Sequence, residues 1–162
     1  MKELLTSYAA YEIWANKKLL DVILNIGTVQ QEQEIKSSFP SIYKTCLHVW
    51  DASAIWWQRL QQKEEIVVPS LSFHPTMAEV AQELLEQNEL WLQWVQNASE
   101  EDLERDLHYK SMKGDPFVQP VKHIVLHISN HATYHRGQLV TMLRQVGVEK
   151  VPQMDYIVFS RG

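Results

Sequence analysis

A long helix is predicted over the segment Pro120 to Gly147, PVKHIVLHISNHATYHRGQLVTMLRQVG. The segment holds four of the protein's seven histidines, and they recur at every fourth residue. A four-residue step turns the side-chain direction by only about 40° in an α-helix, so these histidines form a slowly drifting stripe along one face. Proline suits the first turn of the helix and glycine its C-terminal end. The four histidines are His123, His127, His131 and His135.

The stripe has the spacing of a metal site, because two imidazoles four residues apart on a helix can hold the same ion. His123 and His135 lie about 18 Å apart along the helix axis, so only neighbouring histidines can share one ion. Neither His127 nor His131 is followed by the glutamate of the HExxH motif, which excludes a metalloprotease of that kind. Spacing alone leaves two alternatives: one of the pairs 123/127, 127/131 or 131/135 binds a metal, or neighbouring side chains satisfy all four histidines.

Three further helices are predicted by apolar residues at helical spacing. A long connection containing two prolines separates the second from the third, and two short extended pieces around a tight turn are expected within residues 105–119. We therefore expect an all-α fold, a four-helix bundle with a long crossover connection between helices 2 and 3. The four helices are predicted over residues 2–26, 42–62, 77–97 and 120–147, with boundary signals at Gly27, Ser41 and Thr76.

Composition limits the class of function. The 162 residues are typical of a single domain, 1–162, and 20 acidic against 15 basic residues give a formal net charge of -5. An acidic chain without a basic stripe argues against nucleic-acid binding. No apolar run is long enough for a membrane span or a signal peptide, so we expect a cytoplasmic protein without membrane contact. The lone cysteine, Cys46, fits a reducing compartment and is interpreted as a core residue.

A third metal ligand has to come from another helix, because a catalytic zinc site usually combines three protein ligands with one open position. His48 is the best candidate, since it lies in the middle of a predicted helix among apolar residues, where an unpartnered imidazole is costly. Asp51 falls on the same face and is placed to orient an imidazole, although a surface aspartate is the alternative. His74 and His108 fall in a predicted loop or strand, where we expect them to be solvated.

Four segments together resemble the DinB-like (DinB/YfiT) superfamily of metal-dependent helical proteins, and they span almost the whole chain. The most specific is HISNHATYHRGQL, whose NHxxYHRGQ core is a much more specific motif than HxxxH alone. The other three are YEIWANKKLLDVI near the N-terminus, CLHVWDASAIWWQRL in the second helix and PQMDYIVF near the C-terminus.

The resemblance implies a three-histidine metal site formed by His48, His131 and His135, with His127 as a neighbour. It also implies an up-down-down-up bundle that commonly forms a homodimer. Imidazole suits several divalent metals, of which we expect zinc or nickel. Arg136 and Gln138, which follow the last of these histidines, are expected to contact either substrate or another helix. Gly137 between them is unfavourable inside a helix, which predicts a close contact with another helix.

The resemblance leaves two functions open. Relatives include thiol-cofactor-dependent S-transferases, so one expectation is a metal-dependent enzyme that joins a small-molecule thiol to an electrophilic substrate. The alternative is a non-catalytic metal-binding stress protein of the damage-inducible kind. A carboxylate di-iron bundle is excluded by the sequence itself, because none of the seven histidines has a glutamate three residues before it.

Overall fold

A computed structural model gives the structure of the protein over residues 1–162. It is mostly helical, with eight helices and one two-stranded antiparallel sheet. The helices are α1 Lys2–Leu24, α2 Thr28–Glu32, α3 Ile42–Leu60, α4 Pro69–Ser72, α5 Met77–Asn97, α6 Glu100–Glu104, α7 Val121–Gln145 and α8 Tyr156–Phe159. The strands are β1 Asp106–Lys110 and β2 Pro116–Pro120.

The four long helices, α1, α3, α5 and α7, match the predicted segments closely, and side-chain caps begin two of them. Ser41 begins α3 by accepting a hydrogen bond from the backbone N–H of Lys44 at 3.1 Å. Thr76 and Glu79 form a reciprocal capping box at the start of α5. Gly27 was wrongly predicted as the end of the first helix, which stops at Leu24; the glycine instead precedes the short helix α2.

These helices pack so that α1 and α3 each contact both α5 and α7. The segment between α3 and α5 carries the short helix α4, which packs on α3. The predicted extended pieces pair as β1 and β2, with Leu107 opposite Gln119. An all-α description is therefore incomplete, although the hairpin is small. Gly114 makes its turn with φ +92°, a left-handed conformation that favours glycine.

The core consists of two clusters of buried apolar side chains that meet along α7. One cluster uses the first part of this helix, up to Ile128, and the other uses residues from Ala132 onward. His131 lies at the junction between them. Cys46 belongs to the second of these clusters, and burial raises the pKa of its thiol to about 12, so it is an inert core residue, as predicted.

No helix in the structure combines the length and the apolar character needed to span a bilayer.

Candidate metal centre

Three histidines from two helices meet at one point. His131 and His135 are one turn apart on α7, and His48 reaches them from α3, which packs against α7. The Nε2 atom of His131 lies 3.1 Å from the Nε2 of His48 and 3.1 Å from that of His135. Ligand atoms of all three residues lie within 4.8 Å of one another. The structure thus brings together the three histidines that the family resemblance implied.

The spacing of these nitrogen atoms fits a single divalent ion. At Zn–N distances of about 2.0 to 2.1 Å and tetrahedral angles, ligand nitrogens lie about 3.3 Å apart. Two of the three separations, from His131 to His48 and to His135, are 3.1 Å and close to this value, and ligand atoms of His48 and His135 lie within 4.8 Å of each other. A neutral imidazole has one donor and one acceptor nitrogen, and all three rings direct the same atom, Nε2, toward the common point. The donor set is therefore suited to a cation.

The rings are kept uncharged by their surroundings. Burial is the largest cause that lowers the pKa of His131 to about 4, and the neighbouring His135, His48 and His127 contribute to the same shift. The pKa of His48 is also lowered, by burial and by His135, with Asp51 acting in the opposite direction. Burial lowers the pKa of His135 as well, and its hydrogen bond to the side-chain oxygen of Gln138 opposes this shift. Near neutral pH the three imidazoles are free bases, the form that binds metals.

Gln138 sets the tautomer of His135. The Nδ1 of His135 donates to the side-chain oxygen of Gln138 at 2.8 Å, and the amide nitrogen of Gln138 donates to the hydroxyl of Ser38 at 3.0 Å. With the proton on Nδ1, the lone pair of His135 lies on Nε2, on the side of the other two histidines. Gln138 therefore contacts a histidine and the loop before α3.

The loop before α3 also covers the centre with an aromatic ring. Phe39 stacks on the imidazole of His48, with ring centroids 4.0 Å apart and an angle of 23° between the planes. Its ring also lies 5.7 Å from that of His135. Sequence reasoning did not identify Phe39 or Ser38, and no local pattern marks them. The spacing of three residues between His135 and Gln138, which places both on one helix face, was a usable signal.

The other histidines of the stripe lie outside this group. The ring of His127 is 5.6 Å from that of His131 and packs against Trp56 at 5.3 Å. His123 is exposed near the start of α7. Asp51 does not bond to an imidazole; its carboxylate accepts hydrogen bonds from the backbone N–H and the hydroxyl of Ser70, at 3.0 and 2.6 Å. It holds α4 against α3.

Arg136 contacts another helix and faces away from the histidines. Its guanidinium donates to both carboxylate oxygens of Glu12, at 2.7 and 3.1 Å, and to the side-chain oxygens of Asn16 and Thr133, at 3.0 and 2.8 Å. Arg136 and Glu12 are both 4% exposed, so this is a buried ion pair between α7 and α1. Burial raises the pKa of Glu12, and the hydrogen bond from Arg136 opposes that rise.

Gly137 does not serve the purpose that its helical position suggested. A glycine inside a helix costs about 1 kcal/mol relative to alanine, which pointed to a close helix contact. In the structure Gly137 is exposed, and a Cβ atom added there would meet nothing within 4 Å. The close-contact interpretation is therefore wrong.

Comparisons with known proteins identify the family of this chain. The chain matches the model of the DinB family over residues 1–162. It is 28% identical over 151 residues to "Protein DinB" of Bacillus subtilis (strain 168), which covers 90% of this chain and 87% of that protein. It is also similar in fold to a crystal structure of a DinB-like protein from Bacillus cereus ATCC 10987. That match has a TM-score of 0.68 and 21% identity, and covers 89% of this chain and 91% of the other. This protein belongs to the DinB family.

Proposed function

We propose that the protein binds one divalent metal ion, zinc or nickel, through the Nε2 atoms of His48, His131 and His135. One observation carries the proposal: three uncharged imidazoles converge, with the Nε2 of His131 lying 3.1 Å from the Nε2 of each of the other two. No acidic side chain shares the group, which contains three histidines alone. Three neutral ligands would leave the double charge of the ion uncompensated and one position open for a further ligand.

We further propose that the long helices form an up-down-down-up bundle. The support is the contact pattern, in which α1 and α3 each pack on α5 and α7. Residues 61–76 between α3 and α5 are long enough to return the chain so that these two helices run parallel. In this arrangement both helices that carry the histidines pack side by side.

The proposed activity is that of an S-transferase that joins a small-molecule thiol to an electrophilic substrate. His48, His131 and His135 would hold a divalent ion, which would supply the positive charge that lowers the pKa of a thiol and favours its nucleophilic thiolate form near neutral pH. The chain's own contribution is to hold the rings uncharged by burial and to fix the tautomer of His135 through Gln138. His48 and His131 are only partly buried, so a small molecule can reach the centre. Such a reaction belongs in the reducing cytoplasm, where free thiols persist.

The alternative is a non-catalytic metal-binding protein of the stress or damage-inducible kind. Phe39 favours it, because a ring stacked on His48 at 4.0 Å restricts access to the centre from the side of the loop. In that case the ion would mainly stabilise the packing of α3 on α7.

We also propose that the protein forms a homodimer in which apolar residues of the long helices are covered. Several large apolar side chains on these helices are exposed, which supports such a contact. Sedimentation at micromolar concentration tests it, and a monomer would exclude it. The exposed side chains are Leu4, Leu24, Leu90, Leu126 and Tyr134.

One preparation of the purified protein tests both metal binding and catalysis. The purified protein is stripped with a chelator, reloaded separately with zinc and with nickel, and analysed for bound metal. Each form is then assayed with a panel of low-molecular-weight thiols and a fluorogenic alkyl halide. We expect a loaded protein to accelerate the conjugation at least about 10-fold over the stripped form. Bound metal without acceleration would support the non-catalytic alternative, and failure to bind metal would refute both.

A further inference from the structure

A second candidate site lies at the far end of α3 from His48. A cleft of about 720 Å³ opens between the end of this helix, the segment that follows it and the hairpin β1–β2. Three of its lining residues are basic, Arg59, Lys63 and Lys110, whereas Glu64 is its one acidic residue. In a protein with an excess of acidic residues, this local excess of positive charge is unusual.

Arg59 is the residue that marks this cleft as a binding site. It is 8% exposed, and its guanidinium lies over the rings of Trp56, at 4.5 Å, and Tyr109, at 5.2 Å. None of the ion pairs in the structure involves it, and its Nε is buried without a hydrogen-bond partner. The faces of aromatic rings attract the cation, but they do not satisfy N–H groups that point outward in the plane of the guanidinium.

The other buried arginine shows what is missing. Arg136 is more deeply buried, at 4% exposed, and there the carboxylate of Glu12 accepts two of its hydrogen bonds. Buried charges in proteins are normally paired in this way, because an unpaired one is costly. Burial lowers the pKa of Arg59, as expected for a guanidinium without an anionic partner. Arg59 therefore has the geometry of one half of an ion pair whose other half is absent from the chain.

We propose that the cleft binds a small molecule through a carboxylate or phosphate group held by the guanidinium of Arg59. A guanidinium binds the two oxygens of such a group with parallel hydrogen bonds. Lys63 and Lys110 supply further positive charge at the rim. Phe117 and the ring of Tyr109, which stack on each other at 5.8 Å, form an apolar wall for the rest of the ligand. The ligand class is thus an oxyanion on an apolar or aromatic body.

This site is separate from the metal centre. Arg59 lies eleven positions after His48 on α3, which corresponds to about 16 Å along the helix axis. The proposal does not depend on whether the histidines bind a metal, so the two can fail independently.

The test uses the full chain, both as purified and after treatment with a chelator. The comparison shows whether a probe binds to a protein-bound metal ion instead of the cleft. Benzoate and phenyl phosphate are the probes, and benzamide is the uncharged control. Calorimetric titration should give saturable binding of at least one anion, with a dissociation constant below about 1 mM, and weaker binding of benzamide. The stronger of the two anions identifies whether the site is built for a carboxylate or a phosphate. Equal binding of benzamide, or no saturable binding of either anion, would overturn the proposal.

Two substitutions test whether the anion binds at Arg59. Arg59→Met keeps an apolar stem over Trp56 and should weaken anion binding at least about 10-fold, because a charge-assisted hydrogen bond is lost. Arg105→Met, which removes an exposed arginine outside the cleft, should leave binding unchanged. If Arg59→Met does not fold, the Nε–H resonance of Arg59 in the native protein provides the readout, and it should shift when the anion is added. Unchanged affinity in Arg59→Met, or an unshifted resonance during saturable binding, would contradict the assignment.

Discussion

Two consecutive residues of α7 show two ways in which a helix bundle uses buried polar groups. His135 faces α3 and meets two other histidines, each directing a nitrogen toward the same point. Arg136 faces α1, where one carboxylate and two further oxygens accept its hydrogen bonds. Both residues are 4% exposed, so burial alone does not distinguish them.

The difference lies in whether the partners are complementary. Around Arg136, donors meet acceptors and positive charge meets negative charge, so the group is complete within the chain. Around His135, three groups of one chemical type converge, and no acidic side chain is one of the converging groups. A complete group stabilises the fold, whereas a convergent group of like ligands favours binding of an ion. Substitutions on the side of α7 that carries Arg136 should therefore mainly lower stability. Substitutions on the side that carries His135 should mainly weaken metal binding.

The largest effect on stability is expected on the Arg136 face. Arg136→Met leaves Glu12 buried without its partner, and breaking a buried ion pair in this way costs about 3 to 5 kcal/mol. Denaturant unfolding measures the loss, and the folded fraction should still bind metal with unchanged stoichiometry.

The matched control is Lys17→Met, which removes an exposed ion pair with Glu89 and should change the free energy of unfolding by less than about 1 kcal/mol. The double variant Glu12→Leu with Arg136→Met should recover much of the lost stability, because no buried charge remains. If Arg136→Met proved as stable as the native protein, the account of this face would be wrong.

On the His135 face, Gln138→Leu should affect metal affinity more than folding. It removes the acceptor that holds the proton on Nδ1 of His135, and loss of such an outer partner typically weakens metal binding about 10- to 100-fold. Competition with a chromophoric chelator gives the affinity. Gln96→Leu, an exposed glutamine on α5, is the control and should bind metal like the native protein. Equal affinity in the two variants would show that Gln138 does not orient the ligand.

The metal-free protein should lose stability as the pH falls. The pKa of His131 is lowered to about 4 in the folded state, below the ordinary value of 6.5, so the unfolded chain binds protons first. The contribution of neutral His131 to the free energy of unfolding is complete above pH 6.5 and is lost as the pH falls toward 4. The loss is about 1 to 2 kcal/mol after allowance for solvent screening. Unfolding curves at pH 7 and pH 5 measure the difference. The stability difference between pH 7 and pH 5 should shrink in His131→Ala and persist in His74→Ala, which removes an exposed ring. An equal difference in the two variants would show that His131 does not cause it.

Much of the fold could be predicted because it is encoded locally. Apolar spacing identified all four long helices, and the capping residues Ser41 and Thr76 fixed two of their starts to the residue. The hairpin was also visible, since a turn around Gly114 separates two short extended pieces. The short helices α2, α4 and α8 were not predicted, because helices of four or five residues have too few turns to show a period.

The candidate site was only partly predictable. Spacing within α7 left three histidine pairs open, and the choice among them depends on where α3 crosses that helix, which no local pattern encodes. The resemblance to the DinB family supplied the choice, and the structure places His48 beside His131. Phe39 and Ser38 lie about a hundred residues away in sequence from the α7 side chains they contact, so they were invisible before the fold was known. Arg136 is one residue beyond His135, and a turn of about 100° directs it toward a different helix.

The most direct test of the metal centre is the metal content of six proteins at neutral pH: the native chain and the variants His48→Ala, His131→Ala, His135→Ala, His127→Ala and His123→Ala. We expect one ion per chain in the native protein and in the last two variants, with at most about a 10- to 100-fold loss of affinity in His127→Ala. The first three variants should lose the ion, because two imidazoles remain. Retention of metal in His135→Ala together with its loss in His127→Ala would move the site one turn toward the start of α7 and contradict the assignment.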